Sequence, residues 1–175
     1  EKGEVSFADL DKNGFIDLLV PASGNEEIDK SEYYRSRLLL GQKDGNFTSI
    51  DLPLTSGSTS KLVTIDYDND GDIDIIECKR HVAQKYPLHA SFHVYSNEEL
   101  IFEDHSKSVF PDLEEYGIIN DMLVTDFDND GWDDIIMVGE WTNIRFYKNE
   151  KGKFTDVSND FNIPVLKGLW FDIEA

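Results

Sequence analysis

Three short acidic segments share one spacing of oxygen-bearing residues. They begin at residues 9, 66 and 126 and read DLDKNGFID, DYDNDGDID and DFDNDGWDD. In each segment Asp or Asn recurs at alternate positions, and the sixth position is glycine. Ca²⁺ takes about six to eight oxygen ligands, which alternate residues of a tight loop are able to supply. The spacing therefore predicts three calcium-binding loops, here called loops 1, 2 and 3 in chain order.

The predicted ligands are the side chains at positions 1, 3, 5 and 9 and the main-chain carbonyl at position 7. Glycine at position 6 permits the sharp turn that brings the two halves of each loop together. The residues concerned are Asp9, Asp11, Asn13, Phe15 (carbonyl), Asp17, Asp66, Asp68, Asp70, Asp72 (carbonyl), Asp74, Asp126, Asp128, Asp130, Trp132 (carbonyl) and Asp134. Carboxylates held this close repel one another without a cation, so we expect about three Ca²⁺ per chain.

Two other interpretations of the loops are weaker. Asp, Asn and Gly are ordinary turn formers, but three such segments in phase are hard to explain as solvated turns. An EF-hand loop also begins in this way, yet it needs Glu at position 12 and a helix on each side. Position 12 is Val20, Glu77 or Met137, and the flanking residues are β-branched and aromatic. Magnesium is a poorer candidate than calcium because it demands octahedral geometry.

Each loop lies between two strand-like stretches, and two more β-rich runs follow it. The third runs are 37–40, 91–95 and 143–147, and the fourth runs are 46–50, 100–103 and 153–157. Turns rich in Gly and Asn separate the third and fourth runs, as tight hairpins require. Because the loops start at residues 9, 66 and 126, the units recur after 57 and 60 residues. Four strands per unit is typical of a β-propeller blade.

We therefore predict an all-β fold of three four-stranded antiparallel propeller blades. The units extend over about 1–56, 57–116 and 117–165, and residues 166–175 look like the first strand of a fourth. A closed ring has about 4 to 8 blades, which predicts that the chain is a fragment of a larger propeller. The extra residues at 24–36 and 80–89 are expected to be surface loops.

These units resemble the FG-GAP and VCBS-like repeats, which share an Asp-x-Asp-x-[Asp/Asn]-Gly-x-x-Asp loop on propeller blades, as in the integrin α-subunit head. The third unit, with residues 126–141, 146–149 and 152–154, looks like blades of bacterial surface proteins of the ASPIC/UnbV-associated type. The resemblance implies a secreted or cell-surface location and a role in adhesion or ligand binding. The Phe-Gly and Gly-Ala-Pro elements of integrins are not recognisable, so the resemblance implies no integrin-like ligand.

Composition excludes several classes of partner. The 36 acidic and 16 basic residues give a formal charge of −20, which disfavours nucleic acid and anionic membranes. We expect no membrane insertion, because no apolar run approaches the roughly 20 residues needed to span a bilayer. Hydrophobic residues make up 39% of the chain, which is typical of a folded protein. The single cysteine, Cys78, is interpreted as a small buried apolar residue.

No catalytic motif stands out in the sequence. Glu77, Asp133 and Glu140 are interpreted as solvated or supporting groups, and the three tryptophans, Trp132, Trp141 and Trp170, as packing between blades. We therefore expect a calcium-stabilised binding, adhesion or scaffold module of a larger surface or secreted protein, without catalysis of its own. Its partners would be a protein or carbohydrate ligand, and further blades or a second copy of the chain. The alternative is part of a propeller enzyme, a lyase or hydrolase acting on polysaccharide.

Overall fold

Antiparallel strands make up almost all of the regular structure in the computed structural model of the chain. The structure describes residues 4–24, 35–52, 58–81, 92–111, 117–163 and 167–174. Their strands form three sheets that follow one another along the chain. The predicted loop 80–89 lies mostly outside the described residues, as does most of the predicted loop 24–36.

Sheets 1 and 2 each contain four consecutive strands in sequence order. Sheet 1 comprises β1 (Ser6–Ala8), β2 (Asp17–Val20), β3 (Arg37–Gly41) and β4 (Phe47–Asp51). Sheet 2 comprises β5 (Ser58–Ile65), β6 (Asp74–His81), β7 (Phe92–Glu98) and β8 (Ile101–Asp104), followed by the short helix α1 (Ser106–Val109). All neighbouring strands in both sheets are antiparallel.

Sheet 3 repeats this order and gains one short strand. Its strands are β9 (Ile118–Thr125), β10 (Asp134–Thr142), β11 (Arg145–Asn149) and β12 (Phe154–Asp156), followed by a 3₁₀ turn (Ser158–Asp160). The additional strand β13 (Gly168–Leu169) pairs with the far end of β10. The predicted fold of three four-stranded antiparallel sheets, consistent with propeller blades, is confirmed. The unit boundaries, a fourth unit from residue 166 and a larger ring stay predictions.

The EF-hand alternative is wrong, because strands and not helices flank the acidic loops. Loop 1 connects β1 to β2, loop 2 connects β5 to β6, and loop 3 connects β9 to β10. Within the described ranges, no helix has the length and apolar character needed to cross a membrane.

Two hydrophobic cores separate the three sheets, and sheet 2 contributes to both. The core between sheets 1 and 2 includes Leu19, Leu38 and Ile75, all fully buried. The core between sheets 2 and 3 includes Ile76 and Cys78, which lie on β6 like Ile75. The other members of this core include Val94, Phe110, Ile119, Met122, Ile135, Met137 and Tyr147. Successive residues of a strand point to opposite faces, so β6 is buried on both faces. Stacking the sheets brings their equivalent ends, and with them the loops, close together.

Candidate metal centre

The three acidic loops have the same backbone conformation. The residue at position 4 has a left-handed φ of 56°, 57° and 62°, and the glycine at position 6 has φ of 84°, 89° and 90°. The residues are Lys12, Asn69 and Asn129, and Gly14, Gly71 and Gly131. Asn tolerates the left-handed region and Gly adopts it freely, whereas Lys12 carries some strain there. The recurrence of both angles shows that the sequence repeat is also a repeat of loop geometry.

Each loop brings three carboxylates into one cluster. One oxygen from each of three residues lies within 4.8 Å of the others. The clusters are Asp9, Asp11 and Asp17 in loop 1, Asp66, Asp68 and Asp70 in loop 2, and Asp126, Asp128 and Asp134 in loop 3. Of the predicted carboxylate ligands, these clusters leave out Asp74 and Asp130. Ligand roles for all the residues predicted from the sequence, inside and outside the clusters, stay predictions.

The aspartate at position 1 folds each loop back on itself. Its Oδ2 accepts a hydrogen bond from the amide of the position-6 glycine, at 2.9 Å in loop 1, 3.1 Å in loop 2 and 2.9 Å in loop 3. In loop 3 the other oxygen of Asp126 also accepts from the amide of Asp130, at 3.1 Å. The amide of the position-6 glycine thus points at the carboxylate of the position-1 aspartate in every loop.

The aspartate at position 9 fastens each loop to the third strand of its own sheet. Asp17, Asp74 and Asp134 are fully buried. Asp17 accepts amide hydrogen bonds from Leu10 at 2.7 Å and Gly41 at 2.8 Å. The equivalent bonds to Asp74 come from Tyr67 and Asn97, and those to Asp134 come from Phe127 and Asn149. A buried carboxylate with two amide donors is structurally satisfied before it binds any metal.

The residues at or next to the end of each third strand position the loops, and the sequence interpretation missed them. Asn97 donates through Nδ2 to the carbonyl of Ile73 at 3.0 Å, and Asn149 donates to that of Asp133 at 3.1 Å. Sheet 1 has Gly41 at this position, where a Cβ would lie 2.3 Å from the Ile16 carbonyl oxygen. An alignment of the three units by their third strands, rather than by their loops, would have placed Gly41, Asn97 and Asn149 in one column.

Asn149 also connects two sheets. Its Nδ2 lies 2.8 Å from the carbonyl oxygen of Tyr67, which belongs to loop 2. The turn after Asn149 contacts the same loop, because a Cβ on Gly152 would lie 3.4 Å from the Cβ of Asp68. The third strand of sheet 3 therefore supports loop 2 as well as loop 3.

The electrostatics of loop 2 fit a bound cation. Asp66 Oδ1 is buried and has no hydrogen-bond partner within the part of the chain that the structure describes. Burial and the neighbouring carboxylates of Asp70 and Asp66 raise the pKa of Asp68, and burial raises the pKa of Asp74 to about 7. A partnerless carboxylate oxygen among carboxyls that resist ionisation is the environment that a hard divalent cation would relieve.

Two lysines already contact loop carboxylates. Lys148, on β11, forms ion pairs with Asp128 and, at 2.9 Å, with Asp130 of loop 3. Lys12 of loop 1 forms an ion pair with Asp72 of loop 2. Hydrogen bonds from these ammonium groups lower the pKa values of Asp130 and Asp72. Lysine side chains therefore offset part of the negative charge of loops 2 and 3, and only in loop 3 does the lysine contact a clustered carboxylate among the described residues.

Several expectations about residues outside the loops are resolved. Cys78 is fully buried, as predicted, and burial raises the pKa of its thiol. Of the two interpretations of Glu77 and Glu140, as solvated or as supporting groups, the first is wrong, because their exposed fractions are 0% and 4%; the second stays a prediction. Glu77 pairs with the fully buried Lys79 at 2.7 Å. Trp141 does not pack between the three described sheets, because 62% of this residue is exposed; its packing against a further unit stays a prediction.

The fold and the loops together define a class of protein. Four-stranded antiparallel sheets in series, each with an acidic loop between its first and second strands, are the blades of a β-propeller repeat protein. Residues 9–76 match the family described as FG-GAP-like repeat, and this part of the chain is such a repeat. The match begins at the first residue of loop 1 and continues through loop 2 into β6. No curated protein matches the chain.

Proposed function

We propose that the chain is a calcium-stabilised binding or scaffold module of a secreted or cell-surface protein. The observation that supports this proposal is the recurrence in every loop of three carboxylates whose oxygens lie within 4.8 Å of one another. One such cluster is common on protein surfaces, but three on the same backbone turn imply one shared ligand. Oxygen-only donor sets of this kind suit Ca²⁺.

The residues of each loop have separate tasks in this proposal. The clustered carboxylates, such as Asp66, Asp68 and Asp70, would hold the ion, and its charge would offset their repulsion. The position-9 carboxylate holds the loop against the third strand. An ion bound between the first and second strands would therefore stabilise three strands of a sheet. Extracellular calcium is abundant enough to fill sites with Kd of about 10⁻⁴–10⁻³ M, which motivates the proposed location.

A pocket on sheet 2 supports a ligand-binding role. It has a volume of about 660 Å³, and its lining includes Phe92, His93, Asp104, His105, Lys107 and Phe110. Its aromatic and charged groups suit a polar ligand with an apolar face, such as a sugar or a peptide side chain. Replacement of Lys107 by Glu should then reduce binding to glycan or peptide arrays, whereas the same change at the exposed Lys43, in the turn between β3 and β4 of sheet 1, should not. Equal binding by both variants would argue against this pocket.

The proposed calcium role is tested by thermal unfolding with a metal count. We expect about three Ca²⁺ per purified chain and a lower Tm in chelator, because a site at 100 times its Kd adds about 2.7 kcal/mol to the free energy of unfolding. Mg²⁺ at the same concentration is the matched control and should restore little of the loss. A chain that contains no calcium and unfolds at the same temperature with and without chelator would contradict the proposal.

A further inference from the structure

Loop 3 differs from the other two loops in having a lysine on a carboxylate of its cluster. We propose that Lys148 is a tethered cation that competes with Ca²⁺ for loop 3 and makes it the weakest of the three sites. The inference rests on the calcium binding proposed above and adds the order in which the three loops bind Ca²⁺. The three loops would then respond over different ranges of calcium concentration.

The strand that carries Lys148 holds its ammonium beside loop 3. It lies on β11, directly before Asn149, whose amide binds the loop-3 residue Asp134 at 2.8 Å. The Lys148 ammonium therefore comes from a strand that is fixed to the loop, and it contacts Asp128 and Asp130. Asp128 belongs to the carboxylate cluster of loop 3. An ion that binds this cluster must share Asp128 with the ammonium or displace it.

The equivalent positions in the other sheets carry no charge. Leu40 precedes Gly41 in sheet 1, and Ser96 precedes Asn97 in sheet 2. Lys12 approaches loop 2 and attracts Asp70 and Asp66 at longer range, but its ion pair is with Asp72, which lies outside the cluster of that loop. Across the described ranges, no ion pair to the clustered carboxylates of loop 1 or loop 2 is found, so Lys148 sets loop 3 apart.

A buried carboxylate oxygen adds to this contrast. In loop 2, Asp66 Oδ1 is buried without a hydrogen-bond partner in the described part of the chain, whereas in loop 3 the cluster residue Asp128 contacts the Lys148 ammonium. A divalent cation would supply the missing partner in loop 2, but in loop 3 it would have to displace an ammonium or share a carboxylate with it.

A loop-specific probe is available because the residue at position 7 of loop 3 is Trp132. Bound Tb³⁺ luminesces when a nearby tryptophan transfers energy to it, and the corresponding residues of loops 1 and 2 are Phe15 and Asp72. Titration of the full chain with Tb³⁺ under tryptophan excitation should therefore report loop 3. The variant Trp132→Phe should abolish that signal, and Asp126→Asn, which removes a cluster carboxylate of loop 3 alone, should weaken the Tb³⁺ affinity that the signal reports and so assign it to loop 3. Competition with Ca²⁺ then gives the affinity of loop 3.

The variant Lys148→Gln should bind Ca²⁺ at loop 3 about three- to tenfold more tightly, the effect expected for loss of a partly exposed ion pair. Lys153→Gln makes the same change in net charge in the same sheet, and Lys148→Arg keeps the charge in place. Neither should raise the affinity of loop 3 by that factor. Thermal unfolding in chelator checks that each variant is folded.

Two results would overturn the inference. The first is equal affinity of loop 3 in the parent chain and in Lys148→Gln. The second is an equal gain in Lys153→Gln, which would show an effect of net charge alone. Equilibrium dialysis with Ca²⁺ separates these results from failure of the proposed function: bound calcium with no Lys148 effect refutes only the competition, whereas no bound calcium refutes both.

Discussion

Asp134 accepts a hydrogen bond from the backbone amide of Asn149 at 2.8 Å, and this bond joins loop 3 to the third strand of its sheet. The second oxygen of Asp134 accepts from the amide of Phe127 at 3.1 Å. Both bonds recur in the other two sheets with Asp17 and Asp74. The last carboxylate of each loop is therefore a structural clamp in the absence of metal.

Replacement of Asp134 by Asn should destabilise the protein even in chelator. The amide keeps one acceptor oxygen and places an NH₂ group against the second buried donor, which should cost about 2 kcal/mol in the free energy of unfolding. Urea denaturation in chelator measures this loss. The control is Asp128→Asn, which removes a partly exposed ion pair and should change the free energy of unfolding by less than about 1 kcal/mol. Equal small losses would show that Asp134 has no clamping role.

Replacement of Asp66 by Asn should have opposite effects on the Tm in chelator and in calcium. In chelator the substitution removes repulsion on Asp68 and Asp70, so the Tm should stay the same or rise. In saturating calcium the variant lacks a charged ligand, so its Tm should fall below that of the parent chain. Thermal unfolding of both proteins in the two buffers is the measurement. A lower Tm of similar size in both buffers would instead indicate a purely structural role for Asp66.

The buried ion pair between Glu77 and Lys79 should show strong coupling. Glu77→Gln removes the carboxylate that lies 2.7 Å from the buried ammonium of Lys79, and Lys79→Met removes that ammonium from beside the buried carboxylate of Glu77, so each should cost about 3 kcal/mol or more. The free energy of unfolding lost in the double variant should be smaller than the sum of the two single losses, by at least about 2 kcal/mol. A double-mutant cycle by urea denaturation in calcium measures the coupling. Additive losses would mean that the two groups do not stabilise one another.

Asp156 should contribute stability that depends on pH. Burial opposes its ionisation, but hydrogen bonds from Ser158, at 2.9 Å from its amide, and from Arg145 lower the pKa of Asp156. A carboxyl with a lowered pKa in the folded state stabilises the protein above its unfolded pKa of about 3.9, and this contribution is lost as the pH falls through the folded value. The Tm of Asp156→Asn should therefore lie below that of the parent chain at pH 7, and the gap should narrow below about pH 4.

The measurement is thermal unfolding of both proteins in chelator between pH 7 and pH 3, which keeps metal binding out of the comparison. Glu150→Gln, an exposed carboxylate in the same sheet, is the control and should track the parent chain. A difference between Asp156→Asn and the parent chain that stays constant across this range would show that ionisation of Asp156 is not involved.

Local sequence signals predicted the strands and the loops because both depend on residues that lie near one another in the chain. Alternate Asp residues around Gly131 specify the turn of loop 3, and apolar runs on each side specify β9 and β10. The family match over residues 9–76 and the three four-stranded sheets confirm the repeat and its fold.

Contacts between distant residues could not be predicted in this way. Asn149 reaches Tyr67 across 82 positions of sequence, and the buried Glu77 accepts a hydrogen bond from Ser36, 41 positions away; no local pattern records either contact. Lys148 lies 20 positions from Asp128 and meets it only because β11 pairs with β10. Sequence alone therefore identified the candidate ligands but missed the groups that position them and the groups that compete with a metal.

The place of sheet 2 between two hydrophobic cores has a consequence for local opening. β6 pairs with β5 and β7 and is buried on both faces, so its amide hydrogens should exchange with solvent more slowly than those of the edge strand β4. Within this chain, hydrogen exchange should thus be slowest in sheet 2 and faster toward the outer strands of sheets 1 and 3. A sheet that is covered on both faces by neighbouring sheets would then open less readily than a sheet with one uncovered face.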